Sequence, residues 1–396
     1  CKFSYFDNPE KKSAGEYLLL NEKGGAIGLL STTRLVYSSP NYNLNTKFIR
    51  MFFEKKNGSF RRLGDLFKET KVLSGSGSNN RNFTLLGDPA LSLAYPEFEI
   101  ITTSNLDTVK ALSEITIEGS VIDDLGVMKN FNGTIYPVVF DKEIIRSTLG
   151  QQSCDPMPYR DQNNILYKGA ASVLEGDFSF SFIVPKDIAY NYDSAKISYY
   201  AVSDDQIPID ASGSYNEFII GGTANNIVYD YDASILSLYM NNRSFVDGGI
   251  TNQNPILIAD IYDESGINTV GNGIGHDITA ILDNNSTNPF ILNEYYKSDL
   301  DNFRKGTVEF PFNNLSNGEH SVTFKIWDVF NNSSEKTINF LVTDDGIATI
   351  SDFLNYPNPF SNGTDFYFQN NQAGQVMDIN IQIYTVTGRH VKTINE

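Results

Sequence analysis

Apolar and polar positions follow two textures along this chain, and the change between them falls near Tyr95-Pro96. Before it, Ser13 and Glu16 stand at capping-box spacing ahead of Tyr17-Leu18-Leu19-Leu20, which predicts a short helix. Gly25-Ala26-Ile27-Gly28-Leu29-Leu30-Ser31-Thr32-Thr33 is a short apolar run between glycines, and it predicts a strand buried on both faces. Residues 41–56 place Leu44, Phe48, Met51 and Phe52 on one helical face. Phe83-Thr84-Leu85-Leu86 reads as a second buried strand, closed by the turn Gly87-Asp88-Pro89. Helix, strand, helix and strand give the back half of an α/β domain whose front half lies outside the sequence.

Beyond Pro96 the period shortens to two. Ile115-Thr116-Ile117-Glu118-Gly119-Ser120-Val121, Phe178-Ser179-Phe180-Ser181-Phe182 and Lys196-Ile197-Ser198-Tyr199-Tyr200-Ala201-Val202 are strands separated by Asn, Asp and Gly, the pattern of antiparallel β-sandwich (Ig-like) modules. A weak repeat divides them. The stretch from Ile117 through Asp123-Asp124-Leu125-Gly126 to Val127 resembles that from Ile256 through Asp263-Glu264-Ser265-Gly266 to Ile267. Residues 197–204 and 322–328 each run a strand into an aspartate. The expected domains are therefore 1–98 (α/β), 99–228 (sandwich 1), 229–344 (sandwich 2) and 345–396, the start of a further β domain.

Composition narrows the function classes. With 396 residues, 48 acidic against 30 basic and a net charge of -18, the chain is long enough for several domains and unsuited to nucleic acid or an anionic membrane surface. Aromatics at 13% exclude disorder. No apolar run approaches a membrane span. The chain lacks an initiator Met and stops while a strand-like alternation is still running, so it reads as an internal fragment.

Two cysteines, Cys1 and Cys154, form neither a disulfide framework nor a thiolate zinc site. Cys1 has three readings on its own: a catalytic nucleophile, a lipidated N-terminal cysteine, or a buried thiol. Catalysis needs a base, and the three histidines, His276, His320 and His390, are all far along the β-rich part. Gly271-Asn272-Gly273-Ile274-Gly275-His276-Asp277 lacks the Lys of a phosphate-binding loop and reads as a sandwich loop. Asp230-Tyr231-Asp232 and Asp344-Asp345-Gly346 read as solvated turns in which structural calcium is the alternative; no other cofactor is expected. Cys154 reads as a loop thiol.

Cys1-Lys2-Phe3-Ser4-Tyr5-Phe6-Asp7-Asn8-Pro9, Ser13-Ala14-Gly15-Glu16 and Gly24-Gly25-Ala26-Ile27-Gly28-Leu29-Leu30-Ser31-Thr32-Thr33-Arg34 together resemble the region after the nucleophile in gingipain-type cysteine peptidases, which are caspase-like α/β proteins. Asn80 to Pro96, with Gly87-Asp88-Pro89, is similar to the end of the peptidase domain in that family's branch of type IX secretion sortases. Leu354-Asn355-Tyr356-Pro357-Asn358-Pro359-Phe360 and residues 383–392 resemble the C-terminal β domain of the same secretion system. The resemblance puts Cys1 on the nucleophile and implies a catalytic histidine preceding it. It implies that residues 31–40, with Thr32, Tyr37 and Ser39, line the pocket for the residue before the scissile bond; the other reading of Tyr37 is a buried ring on a strand-to-helix loop. Asp88 reads as a turn residue.

The implied activity is cleavage of the C-terminal signal domain of secreted cargo, with acyl transfer to an amine of lipopolysaccharide at the cell surface. The implied partners are an outer-membrane carrier barrel resembling PorV and attachment-complex components resembling PorQ and PorZ. The alternative is a non-catalytic cell-surface scaffold of tandem sandwiches.

Overall fold

The Ser13 hydroxyl accepts from the Glu16 N–H at 3.3 Å, and the Glu16 carboxylate accepts from the Ser13 N–H at 2.7 Å. This reciprocal pair satisfies two of the N–H groups that a helix start leaves over, and helix α1 runs Ala14–Leu19. The structure is a computed structural model describing residues 3–22, 24–151, 154–269, 275–343, 350–370 and 377–395. Cys1, the glycines at 271 and 273, and Asp344-Asp345-Gly346 lie outside the described residues. The chain forms two compact units, residues 1–95 and 96–396.

In the first unit, strand β1 (Gly28–Thr32) pairs antiparallel with β2 (Phe83–Gly87), Gly28 facing Gly87 and Thr32 facing Phe83. The expectation of burial is corrected for both strands: β1 is half-buried up to Thr32 and β2 is half-buried from Thr84 to Leu86, because among the described residues the two make a sheet too narrow to carry a helical layer on each face. Helix α2 spans Ser38–Phe52, starting before residue 41 because Pro40 is tolerated in a first turn, where its missing N–H has no intrahelical partner to lose. It ends before residue 56 because Asn57 and Gly58 take positive φ values of 54° and 81° and turn the chain back. Leu44 and Met51 are buried, and Phe48 and Phe52 half-buried, as the helical face requires. Helices α3 (Leu63–Leu73) and α4 (Ser78–Arg81) complete the unit.

The second unit opens with strands whose alternation is read directly by burial. Phe178, Phe180 and Phe182 point inward from Asp177–Ile183, and Asp177 and Ser179 outward. Each ring of that kind removed from water contributes about 1.5–3 kcal/mol. Gly133–Phe140 pairs with Ala171–Leu174 and Ile165–Lys168 along one side and with Lys196–Ser203 along the other. The ladder then continues through Asp210–Tyr215, Phe98–Thr102, Glu114–Asp123 and Asp177–Ile183 back to Ala171–Leu174. Hydrogen bonding thus runs continuously around this module, where two facing sheets were expected; a separate three-stranded sheet accompanies it.

The following module has a four-stranded and a five-stranded sheet around Leu257, Ile261, Ile278, Phe324 and Ile326. Val329 and Phe330 from its end join the core of the preceding module. Ile350–Tyr356 pairs with Asp365–Asn370, and Asn380–Tyr384 with His390–Asn395.

Candidate functional site

The residues just after Cys1 are held at the C-terminal end of β1. The Ser4 N–H donates to the Thr32 carbonyl at 3.1 Å, and the Gly15 N–H donates to the Phe3 carbonyl at 3.0 Å. Gly15 permits this approach, since a Cβ there would stand 2.1 Å from the Ser4 hydroxyl oxygen. Arg34 forks onto Asp7 with contacts of 3.0 and 2.6 Å while its guanidinium lies 4.5 Å over the Tyr5 ring. The Arg34 hydrogen bonds hold the Asp7 carboxyl below its ordinary range. Three elements therefore fix the segment from Phe3 to Asp7.

The chain leaves β1 through residues stitched to the loop before β2. The Thr33 N–H donates to the Asn82 carbonyl at 2.9 Å, Asn82 Nδ2 donates to the Leu35 carbonyl at 3.1 Å, and the Tyr37 N–H donates to Asn79 Oδ1 at 3.0 Å. Thr32 is buried, and its carbonyl accepts from the Ser4 N–H. The Tyr37 ring is 78% exposed, which overturns the buried-ring reading. Ser39 lines a cavity of about 400 Å³ together with Asn43 on the same helix and Ser74, Ser76, Ser78 and Asn79 opposite. No charged side chain is among its lining residues.

Asn80 shapes the floor of the cavity. Its Nδ2 donates to the Lys71 carbonyl at 2.7 Å and to the Gly75 carbonyl, and its Oδ1 is buried without a partner among the described residues. Lys71 Nζ donates to the Phe83 carbonyl at 2.8 Å, with burial pushing its pKa down; Lys47 Nζ donates to the Leu73 carbonyl at 2.5 Å. The 74–80 segment, from the end of α3 into α4, was not anticipated as part of a site. Its signal is the run Ser74-Gly75-Ser76-Gly77-Ser78-Asn79-Asn80, small and polar throughout, between a helix and a strand. Asp88 is a turn residue, accepting from the Ala90 N–H at 2.8 Å.

The second unit engages all three histidines within itself. His276 Nδ1 lies 2.5 Å from Asp187, His320 Nδ1 2.7 Å from Asp283 and His390 Nε2 2.8 Å from the Thr393 hydroxyl. Cys154 is exposed and free. Asp230, Asp263 and Asp328 converge, with carboxylate oxygens within 4.8 Å of one another, and could hold a metal ion. The protein already donates to each: Ser265 and Gly266 N–H and the Ser234 hydroxyl to Asp263, Phe330 and Asn332 N–H to Asp328, and the Ser265 hydroxyl to Asp230. Burial pushes the Asp263 carboxyl up to about 6 against these hydrogen bonds, with Asp328 and Asp230 adding repulsion. Asp328 is raised by the same causes.

Residues 1–94 match the family model of peptidase family C25. This segment is similar to the C25 peptidases. The C25-like segment holds all of the first unit's described elements. Over its length the chain is similar to dimeric latent PorU from Porphyromonas gingivalis, with 28% identity, 94% of this chain and 36% of that chain covered, and a TM-score of 0.40. It therefore spans about a third of that protein's length. A tetra-tandem repeat in the extending region of a large adhesion protein aligns at 9% identity over 76% of this chain and 63% of that chain, with a TM-score of 0.18. No curated protein matches the chain. No helix among the described residues is long and apolar enough to cross a membrane.

Proposed function

We propose that this chain belongs to a gingipain-like cysteine peptidase working as a sortase of type IX secretion, with Cys1 as nucleophile. The observation that carries the reading is the C25 match over residues 1–94; the anchoring of Phe3 and Ser4 at the end of β1 is in keeping with it. The first unit is read as part of a caspase-like domain and the module of residues 229–344, with its two sheets, as Ig-like. The Cys1 thiolate attacks the peptide carbonyl, the signal domain leaves as its amine, and a thioester remains. An amine of lipopolysaccharide then attacks the thioester and returns the thiol, attaching cargo to the cell surface. A backbone N–H near the nucleophile serves the oxyanion. The general base is assigned, as the resemblance implies, to a histidine on polypeptide preceding Cys1.

The hairpins from Ile350 onward are read as the docking element for an outer-membrane carrier barrel resembling PorV, their exposed Phe353, Leu354, Tyr356 and Phe360 supplying apolar contact. Components resembling PorQ and PorZ complete the assembly at the cell surface. The test is Cys1→Ala in the full-length protein, expressed in its own cells. Cargo is expected to accumulate with its signal domain attached. Normal processing would reject the enzyme and leave the scaffold of tandem modules.

A further inference from the structure

We propose that Gly15 is a positioning residue for the nucleophile: α1 reaches the backbone at Phe3 and Ser4 because position 15 carries no side chain, and that close seat sets where Cys1 presents its thiol. The proposal rests on the reading of Cys1 as nucleophile and goes beyond it by assigning a role to a residue outside the reacting groups and outside residues 31–40. One peptide group is clamped from two sides. The Ser4 N–H donates to the Thr32 carbonyl at 3.1 Å, and the Phe3 carbonyl accepts from the Gly15 N–H at 3.0 Å. Both ends of the peptide joining Phe3 to Ser4 are therefore held, one by β1 and the other by α1.

The clamp has no room to spare. A Cβ at Gly15 would stand 2.1 Å from the Ser4 hydroxyl oxygen, 3.0 Å from Ser4 Cβ and 3.0 Å from Leu29 Cδ2, nearer than non-bonded heavy atoms pack. Ser4 is fully buried, and its hydroxyl has no partner among the described residues, so it has no solvent to turn into. Gly15 lies in helical backbone that any residue adopts, and glycine is among the poorest helix formers. Closeness, not conformation, accounts for it. The capping pair of Ser13 and Glu16 fixes α1 on both sides of Gly15, and the Arg34 fork onto Asp7 holds the segment beyond Ser4. A methyl added at position 15 therefore displaces the clamped peptide, three residues along the chain from Cys1. Attack on a carbonyl needs the reacting atoms about 3–3.5 Å apart, and a misplacement of about 1 Å can cost about a hundredfold in rate. The loss falls on kcat, because Gly15 does not touch substrate.

The experiment uses the full-length protein, a fluorogenic peptide spanning the junction before a cargo signal domain, and iodoacetamide with each labelled cysteine identified by mass. In the parent, Cys1 is expected to alkylate faster than Cys154, an exposed free thiol that serves as internal reference. Gly15→Ala is expected to lower kcat about tenfold or more with KM within about threefold. It should also slow alkylation of Cys1 and not of Cys154, the difference closing in alkaline buffer, where a thiol ionises without a base. Ser4→Ala in the same chain removes the oxygen 2.1 Å from the added carbon and is expected to restore most of the lost kcat. Where Gly15→Ala does not fold, Ser4→Thr adds a methyl at the same contact, and the same loss of kcat is expected from it. An unchanged kcat, or a loss in Gly15→Ala that Ser4→Ala does not restore, overturns the inference and leaves the peptidase standing. Absence of cleavage by the parent, together with a Cys1 no more reactive than Cys154, overturns the peptidase reading and the inference with it.

Discussion

The Tyr37 N–H donates to Asn79 Oδ1 at 3.0 Å, tying the loop after β1 to helix α4 across 42 positions of sequence. Asn79→Ala removes the acceptor and leaves that N–H to water. The expected cost is on the order of 1 kcal/mol. Its signature is local: faster amide exchange and faster proteolytic nicking at residues 33–40, with the rest of the chain unchanged. Equal protection in the variant would remove the bond from any role in holding the loop.

Ser13→Ala breaks one half of the α1 capping box: without the hydroxyl the Glu16 N–H loses its acceptor, while the backbone N–H at position 13 still donates to the Glu16 carboxylate. Loss of about 1 kcal/mol is expected, read as a lower denaturant midpoint at constant slope. Ser13→Asp should retain most of the stability because a carboxylate also caps.

Asp187, from the first module of the second unit, takes Asn331 Nδ2 at 2.7 Å, Asn268 Nδ2 at 3.0 Å and His276 Nδ1 at 2.5 Å from the next. The His276 ring lies 4.4 Å from Trp327. Asp187→Ala leaves these groups facing an empty position, with an expected loss of about 2–3 kcal/mol. Trp327 fluorescence should report the change, and a spectrum and melt identical to the parent would dismiss Asp187 as a clasp between modules.

Asp263 sets a pH dependence. Its folded-state pKa of about 6 lies above the ordinary 3.8, so between those values the folded chain binds more protons than the unfolded one. Stability from this group therefore falls as pH rises through that window, by on the order of 3 kcal/mol, and the Asp328 carboxyl, also raised by burial, adds to the fall. Melts from pH 4 to 7 in EDTA should show the decline, and Asp263→Asn should flatten it. A decline of the same size in that variant would assign it to other groups.

Local rules reached far into this fold. The alternation in Asp177–Ile183 foretells its burial pattern, and Ser13 with Glu16 foretells α1, because both depend only on near neighbours. The ends of α2 were displaced by Pro40 and by Asn57-Gly58, which act through backbone geometry more than through apolar spacing. What the sequence hides is tertiary. Asp230, Asp263 and Asp328 are dispersed along the chain and meet only on folding. Ser39 could be singled out by resemblance, whereas Ser76 and Asn79 could not, since nothing but the packing of α2 beside the following loop brings them opposite it.

The circuit of strands through Gly133–Phe140 has no beginning or end, with only Ile165–Lys168 and Gly126–Val127 appended to it. A foreign β segment seeking unpaired backbone finds no vacant margin among the strands of the ring itself. Open edges for such pairing are left, among the described residues, to the appended strands and to the separate sheets beside the ring.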